Sequence, residues 1–374
     1  MSGPLTGRRV IELSGMGPIP FCGQQLADLG AEVIRIDRPG SSAAAELGVD
    51  PRFISARGKR SVELNLKDPA GMSTALDLVT TADALIEGSR PGVAERLGLG
   101  PEACLARNPQ MVYGRCSGWG STGPLAARAG HDINYVALAG ALSLIGEDGT
   151  PPPATLGFIG DHGGAGMLLT VGVLAAMLEA QTSGQGQVVE TSILDGALSL
   201  TTAYHEAVAQ GERSDARGTT ADGAAPFYAA YETADGKFVA VGAIEPAFYA
   251  ELVDVLGFSA GDLPAQTDRD AWPELKRRFA ERFRERTRDE WCALADGRDA
   301  CLSPVLALSE VAGHPHHEAR STFVRVGDIE VPRALPLFSR TCSEVPRPAP
   351  QIGADTDAVL GELGMLRQQG GATA

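Results

Sequence analysis

Short apolar runs alternate with helix-type patterns through the first third of the chain, and this alternation most constrains the fold. The segments with strand patterns are 8–14, 32–36, 61–66, 84–87 and 111–115. Helical patterns separate several of them: one covers 21–29 and ends at Gly30, and another opens at Pro69 and runs to 80. Strands that alternate with helices predict a parallel α/β sheet of Rossmann type.

The length of 374 residues exceeds what most single hydrophobic cores organise, so two domains are expected. We assign 1–210 to a large Rossmann-like domain. A hairpin with a Thr-Ala-Asp-Gly turn opens a smaller α+β domain over 225–312. Polar segments at 211–224 and 313–329 are predicted linkers, and 330–374 is a C-terminal segment.

The net charge and the cysteines indicate which binding partners and which cellular compartment to expect. A net charge of −15 argues against nonspecific nucleic-acid binding and against an anionic membrane surface. The six cysteines are scattered without a CxxC motif, which predicts reduced thiols in a cytoplasmic protein. The N-terminus lacks the apolar core of a signal peptide. The apolar run 163–178 is short for a membrane span, so a buried core helix is expected.

Three short segments carry ionisable side chains in surroundings of small or apolar residues. They are Gly-His-Asp-Ile-Asn-Tyr at 130–135, Gly-Asp-His-Gly-Gly at 160–164 and Ala-Ile-Glu-Pro at 243–246. An imidazole, that of His131, and two carboxylates, those of Asp161 and Glu245, are enough to move a proton on and off carbon.

Each of the three residues also has a structural interpretation. His131 stands at the start of a predicted helix, where it could be a capping or core histidine. Asp161 could be an ordinary helix N-cap, although apolar neighbours are expected to raise its pKa. Glu245 precedes a proline that starts a helix and could be a solvated residue of the first turn. The residues alone leave these alternatives open.

Longer segments carry a family resemblance over nearly the whole chain. The chain opens with GRRVIELSGMGPIPFCGQQLADLGAEVIRIDRPG, followed by GKRSVELNLKDPAG at 58–71 and SGWGSTGP at 117–124. Later come YAAYETADGKFVAVGAIEPAFY at 228–249 and HPHHEARSTF at 314–323. In this order, these segments resemble the alpha-methylacyl-CoA racemases of the family III CoA-transferase (CaiB/BaiF) superfamily.

The resemblance implies an interlocked homodimer, in which the C-terminal segment returns to a large CoA-binding domain. The active site then lies between the large domain of one subunit and the small domain of the other. His131, assisted by Glu245, and Asp161 would exchange the alpha proton of a 2-methylacyl-CoA on opposite faces of an enolate. The Asp132 backbone N–H would stabilise the enolate oxygen. CoA enters as part of the substrate, and no organic cofactor or metal is expected.

Basic residues at three places are the predicted contacts to the CoA phosphates. They are Arg38, Arg57, Lys59, Arg60 and Arg90. One departure from the family pattern is His162, because the racemases usually carry phenylalanine at that position. It is either a packing substitution or a titratable group that changes the pKa of its neighbour.

Four other functions are less favoured. A family III CoA-transferase would use Asp132 as a nucleophile, but such enzymes usually have another residue at His131 and an Asn-x-His-Pro segment near 218–226. A non-catalytic CoA-ester-binding protein would be expected to lack one of the ionisable residues. A metal site at His314, His316 and His317 is disfavoured because Pro315 breaks the helical spacing. A nicotinamide dehydrogenase lacks its GxGxxG fingerprint.

Overall fold

The computed structural model describes residues 3–40, 55–259, 261–343 and 346–371. Within them, parallel strands form a six-stranded sheet, which confirms the predicted α/β class. The strands are β1 (Arg9–Leu13), β2 (Glu32–Asp37), β3 (Arg60–Glu63), β4 (Ala84–Glu87), β5 (Val112–Ser117) and β6 (Val188–Ser192). Their order is β3-β2-β1-β4-β5-β6, and every adjacent pair is parallel. This order reverses direction between β1 and β4, where open α/β sheets bind ligands.

Helices cover both faces of this sheet. The helices of the chain up to residue 209 are α1 (Pro18–Asp28), α2 (Pro69–Val79), α3 (Val93–Leu97), α4 (Pro101–Arg107), α5 (Asp132–Leu138), α6 (Met167–Ser183), α7 (Ile193–Leu200) and α8 (Thr202–Ala209). One buried cluster joins α1 and α6 to β1, β4 and β5, and another joins α2 to the other face of β1 and β2. The sheet therefore lies between two apolar layers, as its nearly continuous hydrophobic strands require.

Three predicted helices differ from the structure. The first begins at Pro18 rather than residue 21. The first turn of a helix accepts proline because backbone N–H groups there have no acceptor within the helix. The core helix expected from the apolar run 163–178, which the pattern extends to 180, begins as a π-helix over Phe158–Gly166 and continues as α6. The sequence pattern also predicts one helix over 193–210, which in the structure breaks at Thr201 into α7 and α8. Small residues allow the wide π-helical turns, and the sequence pattern does not distinguish those turns from an α-helix.

A second group of elements forms an α+β unit. Antiparallel strands β7 (Tyr228–Glu232), β8 (Phe238–Gly242) and β9 (Leu302–Val305) make a three-stranded sheet. Its helices are α9 (Pro246–Val255), α10 (Trp272–Phe283), α11 (Arg288–Ala295), α12 (Leu308–Val311) and α13 (Pro315–Ala319). The hairpin of β10 (Phe323–Val326) and β11 (Ile329–Pro332) follows, and the last described element is α14 (Thr356–Gly371).

The chain divides into two compact units, with boundaries near residues 203 and 321. The first contains 1–141, 155–203 and 322–374, and the second contains 142–154 and 204–321. Residues 1–2, 41–54, 260, 344–345 and 372–374 lie outside the described residues. The domain boundaries expected from the sequence, at residues 210, 225, 312 and 330, stay predictions.

One helical stretch, Phe158–Ser183, is long and apolar enough by length and composition to span a membrane, as far as the described residues go. Half of the most apolar part of this stretch is buried. Leu169 and Val173 are fully buried in the cluster that covers the central sheet. These contacts are those of a core helix, the alternative that the sequence favours.

A buried ion pair links the end of β1 to the segment before β3. The Lys59 Nζ lies 2.6 Å from Glu12 Oε2, and neither side chain is exposed to solvent. The same ammonium donates to the Pro20 carbonyl at 2.8 Å, within α1. Burial raises the pKa of Glu12 despite the lysine, since removal from water penalises the carboxylate. The pair therefore holds β1, α1 and the approach to β3 together below the carboxyl end of the sheet.

Replacing Lys59 by alanine is expected to lower the free energy of unfolding by about 3–5 kcal/mol, because the buried Glu12 carboxylate loses its partner. Urea unfolding monitored by circular dichroism measures the change. Lys67, an exposed lysine, is the matched control, and its alanine variant is expected to change the value by less than about 0.5 kcal/mol. Equal losses in the two variants would contradict the structural role of the pair.

Candidate active site

A cavity of about 240 Å³ opens at the carboxyl ends of β1, β4 and β5. The loop after β1 contributes Met16, the loop after β4 contributes Arg90, and the loop after β5 contributes Trp119. His131 and Arg128, on the approach to α5, also line the cavity. This position matches the rule that ligands bind where the strand order of an open α/β sheet reverses.

His131 is the N-cap of α5, with extended backbone angles of −130° and 171°. Its backbone N–H donates to Asn134 Oδ1 at 3.0 Å, which fixes the main chain while the ring stays exposed at the cavity. The next backbone N–H, that of Asp132, belongs to the first turn, where helical amides have no acceptor within the helix. The imidazole is thus held by its backbone and remains accessible to a ligand.

Asp161 lies in the π-helix, half-buried and facing the loop that precedes α1. A Cβ atom at Gly17 would lie only 3.0 Å from Asp161 Oδ2, so a glycine allows the carboxyl group this close approach. Burial raises the pKa of Asp161 to about 6, with a further contribution from the Asp132 charge, while His131 lowers it. A carboxyl group that titrates near neutral pH can both donate and accept a proton.

The Asp132 carboxylate is engaged on both oxygens. Oδ1 accepts the backbone N–H of Asp161 at 2.9 Å, and Oδ2 accepts the Thr155 hydroxyl at 3.1 Å. These bonds tie the first turn of α5 to the π-helix that carries Asp161. The Asp132 side chain therefore positions Asp161 as well as raising its pKa.

His162 occupies an aromatic environment. Its ring stacks on Phe21 with centroids 4.8 Å apart and an interplanar angle of 23°, and Phe158 lies 6.3 Å away. Burial lowers the pKa of His162 and so favours the neutral ring. A neutral imidazole packed against phenylalanines supports the packing interpretation of this substitution.

Glu245 belongs to the second compact unit, where it is the N-cap of α9. Pro246 follows it at the first helical position, and the Glu245 carbonyl accepts the N–H of Tyr249 at 2.9 Å. Its side chain is exposed. The predicted pairing of Glu245 with His131 stays a prediction.

The basic residues predicted to bind CoA fall into two groups. Arg38 and Arg90 are exposed at the ends of β2 and β4. The other three are held by carboxylates of their own unit. Arg57 pairs with Asp28 at 2.6 Å, Lys59 is the buried partner of Glu12, and Arg60 pairs with Glu32 at 2.5 Å and Glu362 at 2.9 Å. Lys59 has no access to solvent, so it does not belong to the proposed CoA site.

Sequence reasoning missed two residues of this site. Arg128 lines the cavity, and no carboxylate of the described residues forms an ion pair with it or with Arg90. No motif marked Arg128, which stands alone among small residues. Asn134 carried a recognisable signal, since a side-chain acceptor three residues after an N-cap is typical of a capping box.

The described part of the chain contains no group of three or more His, Cys, Asp or Glu side chains arranged to hold a metal. His314, His316 and His317 lie near one another in and before α13, and the His317 ring centroid is 5.8 Å from that of His314 and 6.1 Å from that of His316. His314 Nδ1 instead accepts the backbone N–H of His316 at 3.3 Å, as a helix cap does.

The model of the family described as "CoA-transferase family III" matches residues 5–356. The chain belongs to CoA-transferase family III. Among its relatives, the mouse alpha-methylacyl-CoA racemase is 44% identical over 98% of this chain and 94% of the relative. The human alpha-methylacyl-CoA racemase is 42% identical over the same shares. The human succinyl-CoA:glutarate CoA-transferase is 26% identical over 96% of this chain and 86% of its own.

Two solved structures share the fold of this chain. A CAIB/BAIF family protein from Brucella suis superposes with a TM-score of 0.86 at 25% identity, covering 97% of this chain and all of that one. Rv3272 from Mycobacterium tuberculosis gives a TM-score of 0.76 at 28% identity, with coverage of 95% and 98%. The fold shared with these proteins therefore covers nearly all of this chain.

Proposed function

We propose that this family III protein is an alpha-methylacyl-CoA racemase. The observation that carries the proposal is the hydrogen bond of 2.9 Å from the Asp161 backbone N–H to the carboxylate of Asp132, the residue after His131, which supports placing the two segments at one site. A racemase needs two groups that can exchange a proton, one on each face of the alpha carbon. The identity of 42–44% to mammalian alpha-methylacyl-CoA racemases supports the same activity.

The reaction is a 1,1-proton transfer. In one direction His131 removes the alpha proton of the 2-methylacyl thioester, and Asp161, in its protonated form, returns a proton to the opposite face of the planar enolate. In the other direction the two residues exchange roles. The enolate oxygen accepts a hydrogen bond from the Asp132 backbone N–H. Because the thioester acidifies the alpha carbon, we propose that no metal or organic cofactor takes part.

Arg90 and Arg128 are the proposed contacts to the CoA phosphates at the cavity, with Arg38 as a further contact at the end of β2. In a chain of net charge −15, arginines free of described carboxylates beside one cavity create a locally positive region. Arginine also suits phosphate because its planar guanidinium can donate two parallel hydrogen bonds.

We infer that two copies of the chain associate and that Glu245 acts on His131 within the dimer. Large apolar side chains are exposed in and near the π-helix and α6. Leu156 is 78% exposed, Phe158 66%, Val171 60% and Leu178 67%. Such a concentration of exposed apolar surface is typical of a protein interface. We also propose a cytoplasmic location, because the scattered cysteines, without a CxxC motif, are typical of proteins that keep reduced thiols.

The alternative is CoA transfer with Asp132 as nucleophile. Both carboxylate oxygens of Asp132 accept hydrogen bonds, from Asp161 and Thr155, so the carboxylate is stabilised where it lies. A nucleophile of this type must release such bonds to attack a thioester. The hydrogen bonding of Asp132 therefore favours a positioning role over covalent catalysis.

Incubation of the protein with (S)-2-methylacyl-CoA in deuterated water tests the proposal. Deuterium at the alpha carbon, seen by NMR, together with loss of configuration in chiral analysis is the expected result. No exchange, with CoA transferred to an added carboxylic acid, would identify Asp132 as a nucleophile and the protein as a transferase. If neither alpha-proton exchange nor CoA transfer is observed, the result contradicts both the racemase proposal and the transferase alternative.

A further inference from the structure

The loop over 88–92, between β4 and α3, presents Arg90 to the cavity with its backbone held on both sides. The Ser89 backbone N–H donates to Glu87 Oε2 at 2.6 Å, and the Arg90 carbonyl accepts the N–H of Val93 at 3.0 Å. Pro91 restricts the loop further because its ring fixes φ. Arg90 therefore starts from a backbone with few alternative conformations.

The start of the same loop lies against α1. A Cβ atom at Gly88 would be only 2.7 Å from Ile19 Cγ1, so only glycine leaves room for the loop to pass the helix. The loop thus packs against α1 at Gly88. Glu87, the last residue of β4, binds the next backbone amide, that of Ser89.

Glu87 is buried, with 2% of its surface exposed, and lies opposite Arg115 in the register of β4 and β5. The Arg115 Nε is 4.0 Å from Glu87 Oε1, and the guanidinium also approaches Glu95 at 3.3 Å and Glu190 at 3.8 Å. Glu95 and Glu190 are 42% and 38% exposed. Burying a carboxylate costs free energy unless the group is paired with a cation or hydrogen-bonded. Here the hydrogen bond goes to the loop that carries the ligand-facing cation.

We propose that Glu87 is a positioning residue for CoA binding, whose carboxylate holds the Ser89 amide and so orients Arg90 toward the CoA phosphates. This inference rests on the proposed function, in which Arg90 contacts those phosphates. A cation that is already oriented loses less conformational freedom when the ligand binds, and the affinity rises accordingly.

Titration calorimetry with free CoA tests the inference without relying on catalysis. Glu87→Ala is expected to weaken binding about tenfold, which corresponds to roughly 1.4 kcal/mol. Glu87→Asp is expected to weaken it in the same direction, because the shorter side chain keeps its charge beside Arg115 but no longer reaches the Ser89 amide. Glu95→Gln is the matched control, since it removes a neighbour of Arg115 without touching the loop, and its affinity is expected to stay unchanged.

Kinetics separate positioning from a loss of structure. With 2-methylacyl-CoA, Glu87→Ala is expected to raise KM and leave kcat unchanged. With the matching pantetheine thioester, which lacks the nucleotide and its phosphates, KM is expected to equal that of the wild type. An equal effect on both substrates, or an Asp variant that binds CoA like the wild type, would overturn the inference.

A double-mutant cycle shows whether Glu87 acts through Arg90. Glu87→Ala combined with Arg90→Ala is expected to bind CoA no more weakly than Arg90→Ala alone. Additive losses would overturn the inference even if racemisation is observed. Coupled losses in a protein that catalyses no alpha-proton exchange would support the inference and contradict the proposed racemase activity.

Discussion

Replacing His131 by alanine is expected to lower kcat for racemisation about 10³-fold, because a positioned general base contributes roughly 10²–10⁴-fold to such a step. Exchange of the alpha proton with deuterated water is expected to fall for one enantiomer of 2-methylacyl-CoA. For the other enantiomer, whose alpha proton faces Asp161, slow exchange should remain. NMR of each pure enantiomer measures both rates.

His316→Ala is the matched control for this variant. It removes an exposed imidazole from α13 and is expected to keep wild-type racemisation. Exchange at the wild-type rate for both enantiomers in His131→Ala would show that His131 does not remove the alpha proton. Binding of free CoA, expected to be near normal in His131→Ala, separates loss of chemistry from loss of the site.

Replacing Asp161 by asparagine is expected to produce the complementary result. The amide cannot exchange a proton with carbon, so racemisation falls about 10³-fold. Exchange persists only for the enantiomer whose alpha proton faces His131, which is the opposite enantiomer to that retained by His131→Ala. If both variants retain exchange of the same enantiomer, the two residues do not serve opposite faces. Asp148→Asn, at an exposed aspartate, is the control.

The pH dependence follows from the raised pKa of Asp161, about 6. In the direction in which Asp161 accepts the proton, it must be ionised, so kcat/KM is expected to rise as the pH increases through about 6. In the reverse direction Asp161 must be protonated, so its contribution falls over the same interval. Asp132→Asn removes a charge that raises this pKa and is expected to move both limbs to lower pH.

The central strands β1, β2 and β4 were predictable because they are almost entirely buried and therefore appear as apolar runs bounded by glycine and proline. Ala84–Glu87 has the predicted limits, and β2 extends the prediction by one residue. The π-helix that carries Asp161 was not predictable, because its small residues fit an α-helix pattern equally well. Tertiary contacts with α1 and α7 accompany the wider turns.

The basic residues predicted to bind the CoA phosphates also show what the sequence can predict and what only the structure shows. Residue type alone made Arg57, Lys59 and Arg60 as suitable for phosphate as Arg90. Their partners come from positions distant in sequence, such as Asp28 for Arg57 and Glu362 for Arg60. Local sequence contains no information on such long-range pairing, so the structure alone distinguished the cations that are paired from those that face the cavity.

The sequence by itself determined the α/β class, the family and the three ionisable residues on which the proposed chemistry depends, because strand patterns and motif order are local properties. Tertiary structure decided that the Asp132 carboxylate accepts the Asp161 backbone N–H and that burial raises the pKa of Asp161 to about 6. It also decided that Arg128 joins Arg90 at one cavity. These features depend on burial and on distances between segments far apart in the chain, and only folding sets them.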